Sequence, residues 1–186
     1  MDWSQVFEEG LSYSAFLDKY ANVEQRRRWD AVHSRVALSE PQSQLLAGFT
    51  RRMPVLVLSG AWCGDCINQC PIFDHFAQEA TAIDLRYLDR DARADVRSGL
   101  TINGGQRVPV VVWLSEDFFE VSRFGDRTLA TYRKMAAEQL GLACPSGLVP
   151  PSDDHLQSVV SEWLNHFEHA HWVLRLSSRL RDKHRD

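Results

Sequence analysis

Three of the chain's four cysteines fall in one stretch, "SGAWCGDCINQCP", Ser59 to Pro71. Cys63 and Cys66 form a Cys-x-x-Cys pair, and Cys70 follows four residues later. A thiolate is both a nucleophile and a metal ligand. The cluster can therefore bind metal, staple a fold or carry out dithiol–disulfide exchange. A zinc site would use Cys63, Cys66, Cys70 and a histidine such as His75. Zinc prefers a second ligand pair on a separate turn, and the helix here offers little room. A second constellation lies near the carboxy terminus. Glu162, His166 and His169 in "EWLNHFEHAHW" are spaced i, i+4, i+7 and share one helix face. Two imidazoles and a carboxylate suit a divalent metal. Histidines beside a packing stripe are more often structural or solvated, and no fourth ligand stands with them. The sequence implies no metal and no cofactor.

Composition narrows the choice. The chain has 186 residues, 44% hydrophobic and 10% aromatic, enough for a buried core. A formal charge of −4 gives no electrostatic case for nucleic acid. No apolar run approaches the ~18 residues of a membrane span. The start, "MDWSQVFEEG", is acidic and lacks the basic and apolar regions of a signal peptide. The expected location is cytoplasmic, where cysteines are usually reduced, catalytic or metal-bound. Four cysteines are too few for a disulfide scaffold.

The elements that must position the cysteines can be read along the chain. Residues 1 to about 52 are predicted helical, with Tyr13, Phe16, Leu17 and Tyr20 at helical spacing. Arg26 to Arg28 read as a solvated helix face. "SEPQ" at 39–42 is a capping box opening a short helix. "MPVLVLSG" is a continuous apolar run, as in a strand covered on both faces. From Gly64 the period changes, and Cys66, Cys70, Phe73, Ala77 and Ala80 make one buried helical stripe. "AIDLRYLDR" is a second strand, and "DARADVRSGL" a short helix or irregular link. "VPVVVWL" is a third strand with Pro109 at its very start, and "FFEVSRF" is its hairpin partner. Asp126 is expected to cap a helix running to about Leu140, with Gly141 as its stop. A proline- and glycine-rich linker containing Cys144 leads to a long last helix, striped by Leu156, Val160, Trp163, Phe167, Ala170 and Leu174. That stripe packs on the body or on a second copy. The terminal "RLRDKHRD" is expected to fray.

The strand-to-helix junction carrying "WCGDC" resembles the thioredoxin family. Trp62 precedes the first cysteine, and Pro71 lies five residues beyond Cys66, where the family keeps a helix proline. Val108–Pro109 stands where the family has its cis-proline, and Gly125 follows the hairpin where the family has a glycine. The motifs cover roughly residues 50 to 140. The resemblance implies an α/β, thioredoxin-like fold: a central mixed β-sheet flanked by helices, here with an N-terminal helical extension and a long C-terminal helix. The expected division is an extension over 1–50, a thioredoxin-like domain over 51–141, a linker over 142–151 and a C-terminal helix over 152–186.

The resemblance also implies roles. Cys63, at a helix start where unpaired N–H groups favour a thiolate, is the expected nucleophile. Cys66, a turn further in, is the expected resolving thiol. Trp62, Gly64 and Asp65 complete the motif, and Arg107, Val108 and Pro109 rim a substrate groove. Two departures stand out. Six residues before Cys63, where the family has a buried aspartate, this chain has Val57. Asp65 replaces the usual proline, and at ~6 Å in water its charge opposes a thiolate at Cys63 by about 0.7 kcal/mol. Cys70 reads as a small core residue.

The function implied is thiol–disulfide oxidoreduction through a mixed disulfide. Its substrate is a protein or small-thiol disulfide, and its electron donor a reductase or a low-molecular-weight thiol. The rival reading is an interaction module that keeps the fold and associates through its terminal helices, including as a homodimer through the last one.

Overall fold

β1 (Met53–Ser59) is buried at every residue, which explains its unbroken apolar sequence. It lies inside a four-stranded sheet of order β2-β1-β3-β4, with β2 (Ile83–Asp89), β3 (Val110–Leu114) and β4 (Glu120–Gly125). β1 runs parallel to β2 and antiparallel to β3, and β3 and β4 form an antiparallel hairpin, so the sheet is mixed. The structure is a computed structural model that describes residues 1–140 and 154–186. Cys144, Gly141 and the expected linker lie outside the described residues. No helix among the described residues is long and apolar enough to cross a membrane.

The N-terminal region forms α1 (Trp3–Glu8), α2 (Tyr13–Tyr20), α3 (Val23–His33) and α4 (Glu40–Ala47). The capping box at α4 is present, with Ser39 N–H donating to Gln42 Oε1 at 2.9 Å. Arg26 and Arg27 are engaged by Asp18 and Glu24 on the solvated face. This region is joined to the sheet itself. Leu11 exchanges two backbone hydrogen bonds with Tyr87 of β2, at 2.8 and 2.7 Å.

α5 (Gly64–Glu79) packs on the sheet and continues through Pro71. α6 (Ala94–Gly99) occupies the stretch read as a short helix or link. α7 (Leu129–Leu140) and α8 (His155–Leu176) follow. The apolar stripe of α8 faces the body of the protein. Trp163 and Phe167 meet Phe73, Phe76, Trp113 and Phe124 at ring-centroid distances of 4.6 to 5.7 Å.

Two expectations need correction. The terminal segment is not frayed. It forms α9 (Ser178–His184), where Leu180 is buried, Arg179 pairs with Asp117, Lys183 and His184 pair with Glu116, and Asp186 pairs with Arg51 and Arg175. A polar sequence hides such docking because charge pairing has no periodicity. Asp126 does not cap α7. Thr128 Oγ1 accepts from Thr131 N–H at 3.3 Å, and the Glu162 carboxylate of α8 accepts from Leu129 and Ala130 N–H.

Candidate active site

The change from β1 to α5 places the cysteines. β1 ends at Ser59, and Cys63 is the N-cap residue of α5, with φ −80° and ψ 125°. Cys63 N–H donates to Gly60 O at 2.9 Å, which tightens the turn between them. The turn is also held from the N-terminal helices. The buried indole of Trp29 in α3 donates Nε1–H to Ala61 O at 2.9 Å. Trp62 projects outwards, 47% exposed, with the Arg90 guanidinium over its ring at 4.6 Å. Gly64 is open to solvent.

Cys63 is partly exposed, whereas Cys66 and Cys70 are fully buried, and all three are free thiols. Cys63 and Cys66 shift each other's ionisation, so the two titrate as a pair. Burial pushes the Cys66 thiol well above its ordinary value. The Cys63 thiol is pushed up as well, first by its interaction with Cys66, then by burial and by charge on Cys66. Cys63 is the less buried sulfur, and the N–H groups of Cys66 and Asp65 pull its pKa down. The helix terminus thus acts in the expected sense, but against opposing burial that the sequence did not reveal.

The groove side is built by β3 and β4. The Val108–Pro109 bond is cis and immediately precedes β3. Val108 is buried, and its carbonyl lies 3.5 Å from Cys63 Sγ, which donates to it. Gly125 sits opposite. A Cβ there would lie 2.5 Å from Pro109 O and 2.9 Å from Val110 Cα, so only glycine permits this approach. Arg107 is exposed and donates to Asp126 Oδ2 at 2.8 Å. Asp126 is buried and also accepts from Tyr132 Oη–H at 2.7 Å.

Asp65 does not face the sulfurs as a free charge. Arg127 donates to both of its carboxylate oxygens, at 2.9 and 2.7 Å. Behind it, Gln69 of α5 donates to Asp126 O at 2.9 Å and to Asp65 O at 3.2 Å, and accepts from Trp163 Nε1–H at 2.8 Å. One buried amide therefore ties α5, the hairpin end and α8 together. Trp29, Gln69, Arg127 and Ser59 were not singled out from sequence. The partners that give them their roles, Ala61, Trp163, Asp65 and Cys70, lie 32, 94, 62 and 11 residues away in the chain.

The other constellation comes apart. Glu162 caps α7, and the ring of His166 stacks on Phe124 at 3.9 Å. Among the described residues no group of three or more His, Cys, Asp or Glu side chains is placed to hold a metal ion.

The sequence model of the thioredoxin family matches residues 10–139, well over half of the chain. The chain belongs to the thioredoxin family. The match begins well before the motif region and takes in α2 to α4, consistent with Trp29 and Leu11 being built into the fold. Among solved structures, a protein of unknown function from Pseudomonas aeruginosa is similar over 91% of this chain and 99% of its own, with a TM-score of 0.68 and 21% identity. An HIV epitope-scaffold protein is similar over 96% of this chain and 100% of its own, with a TM-score of 0.64 and 19% identity. At these identities the likeness shows the fold alone. No curated protein is significantly similar in sequence.

Proposed function

We propose that the protein is a dithiol–disulfide oxidoreductase working through Cys63 and Cys66. One observation carries the reading: a partly exposed thiol at the N-cap of α5 with a fully buried thiol three residues further into the helix. Family membership supports a redox role of this kind.

In the forward direction the Cys63 thiolate attacks one sulfur of the substrate disulfide. The Cys63–sulfur bond forms, and the electron pair of the broken bond leaves on the other substrate sulfur, which takes a proton from solvent. Cys66 then loses its proton and attacks Cys63 Sγ. The mixed disulfide breaks, its electron pair leaves on the substrate's remaining sulfur, and that sulfur is protonated in turn. The substrate gains two electrons and two protons, and Cys63 and Cys66 become a disulfide. A reductase or a low-molecular-weight thiol restores the dithiol. The Val108 carbonyl beside Cys63 and the exposed Trp62 and Arg107 form the rim on which an extended substrate segment docks. The reducing direction fits a cytoplasmic setting, which is part of the proposal.

Insulin reduction in the presence of a chemical reductant tests the reading. Turnover that disappears in Cys63→Ser supports it. No turnover by the parent protein assigns the fold to an interaction role.

A further inference from the structure

Resolution of a mixed disulfide requires Cys66 to react as a thiolate, yet Cys66 is fully buried and burial is the largest effect opposing its ionisation. The position six residues before Cys63 is Val57, which is buried and apolar, so no carboxylate stands there. Two residues later on β1, Ser59 is on the same face of the strand, because side chains alternate with period two. Ser59 carries the one hydroxyl of β1 and is fully buried. Its backbone is fixed, with its carbonyl accepting Arg90 N–H at 2.8 Å. Its Oγ lies 3.6 Å from Cys70 Sγ, one helical turn beyond Cys66 on the same buried face of α5, and its hydroxyl favours the ionised form of Cys66. The titratable groups around Cys66 are Cys63, Cys70 and Tyr87, whose Oη–H donates to Cys70 O at 2.8 Å.

We propose that Ser59 is a positioning residue for the resolving step, its O–H turning from Cys70 Sγ to the Cys66 sulfur as Cys66 ionises and holding that thiolate for attack on Cys63. The inference rests on the dithiol reading above. Ser59 takes up no proton. The proton of Cys66 leaves through the groove, to solvent or to the departing substrate sulfur. The hydroxyl supplies a hydrogen bond to a buried charge that is otherwise unsolvated. Cys70 is only the resting partner of the same hydroxyl and takes no part in either chemical step.

The test separates the two chemical steps. Reaction with an aryl disulfide whose released thiol is coloured gives one release on attack by Cys63 and a second on resolution by Cys66. Ser59→Ala should slow the second release about tenfold or more, the size expected for losing a hydrogen bond to a charged group. It should also move the pH midpoint of that release upwards and leave the first release within about twofold. Ser59→Thr, which keeps the hydroxyl, should restore the second release. Cys70→Ala should leave it as fast or faster. The inference is overturned if the second release and its pH midpoint are unchanged in Ser59→Ala, or if both releases slow equally. In a Cys63→Ala background, where no mixed disulfide forms, thiolate absorbance should show Cys66 ionising at higher pH without the hydroxyl. An equal midpoint there overturns the inference whether or not the protein reduces insulin, and failure on insulin alone overturns only the functional reading.

Discussion

Arg127 holds the Asp65 carboxylate by two hydrogen bonds, at 2.9 and 2.7 Å, so the acid inside WCGDC is already paired. Both side chains are mostly covered, which limits screening by solvent. The like charge that the sequence places beside Cys63 therefore arrives with its counter-charge, and the two substitutions should act in opposite senses. Asp65→Asn leaves the Arg127 cation unbalanced and should favour the Cys63 thiolate. Arg127→Ala leaves the Asp65 anion unbalanced and should disfavour it. A single charge at ~6 Å in water is worth about 0.7 kcal/mol, or about threefold in the thiolate population. Alkylation rates of Cys63 below neutral pH measure this directly. The double substitution should return close to the parent. Equal rates in all four proteins would show that the pair does not act on Cys63.

The cysteines should separate cleanly by role. Cys63→Ser should abolish disulfide reduction, because the partly exposed N-cap sulfur is the one a substrate can reach. Cys66→Ser should still attack and then stall, accumulating mixed disulfides recoverable from cell extract. Cys70→Ala should retain turnover and lose stability of about 1 kcal/mol, since it vacates a fully buried site. Cys144→Ala should leave turnover nearly intact. Loss of turnover in a folded Cys70→Ala protein would make Cys70 a third redox cysteine.

The order of strands and helices around the motif was legible because it is written in local periodicity. The all-buried β1 shows as an apolar run, and the buried face of α5 shows as a step of three and four through Cys66, Cys70 and Phe73. What positions the site was not legible, because it depends on pairs distant in sequence. Nothing local marks Trp29 as the donor to Ala61, or Arg127 as the partner of Asp65. Asp126 shows how a local rule fails. It stands where a helix cap belongs, but its carboxylate is taken by the Arg107 guanidinium and by the Tyr132 hydroxyl one turn into α7, and Glu162 takes over the cap. Ser59 stands at the start of the cysteine-bearing stretch, yet only its burial against Cys70 gives a strand-end serine a role.

Stability should fall on mild acidification. His75, His155, His166 and His171 are all held below the ordinary histidine value of 6.5, in each case chiefly by burial. Neighbouring positive charge adds to this at His75 from His33, at His155 from Lys134, at His166 from His169 and at His171 from Arg175. A group with a depressed folded pKa binds its proton in the unfolded chain first. The unfolded state therefore holds more protons just below pH ~6.5, and stability declines as pH falls through that value. Carboxylates such as Asp91, held low chiefly by its hydrogen bond from Arg90, take over only nearer pH ~4. Urea unfolding at pH 7.5 and 5.5 should give a lower midpoint at the acid end, and His166→Phe should reduce the difference. A midpoint independent of pH over this range would contradict the assignment.

The N-terminal helices should matter to the site through one hydrogen bond. Trp29 is fully buried beside Phe16 and Tyr13, and its indole N–H meets the carbonyl of Ala61, two residues before Cys63. Trp29→Phe keeps an aromatic ring in the core but leaves that buried carbonyl unpaired. The cost of an unsatisfied buried acceptor is about 1–3 kcal/mol, with a further contribution from the smaller ring. The midpoint of urea unfolding should fall accordingly. The turn from Gly60 to Cys63 should also loosen, because the remaining backbone bond from Cys63 N–H to Gly60 O does not anchor it to α3. The rate of Cys63 alkylation in the native protein should then change, and hydrogen exchange at Trp62 and Cys63 should quicken. Should stability drop while alkylation and exchange at the motif stay as in the parent, Trp29 is a core residue and no more. If both change, the helices before the sheet are part of what holds the nucleophile in place.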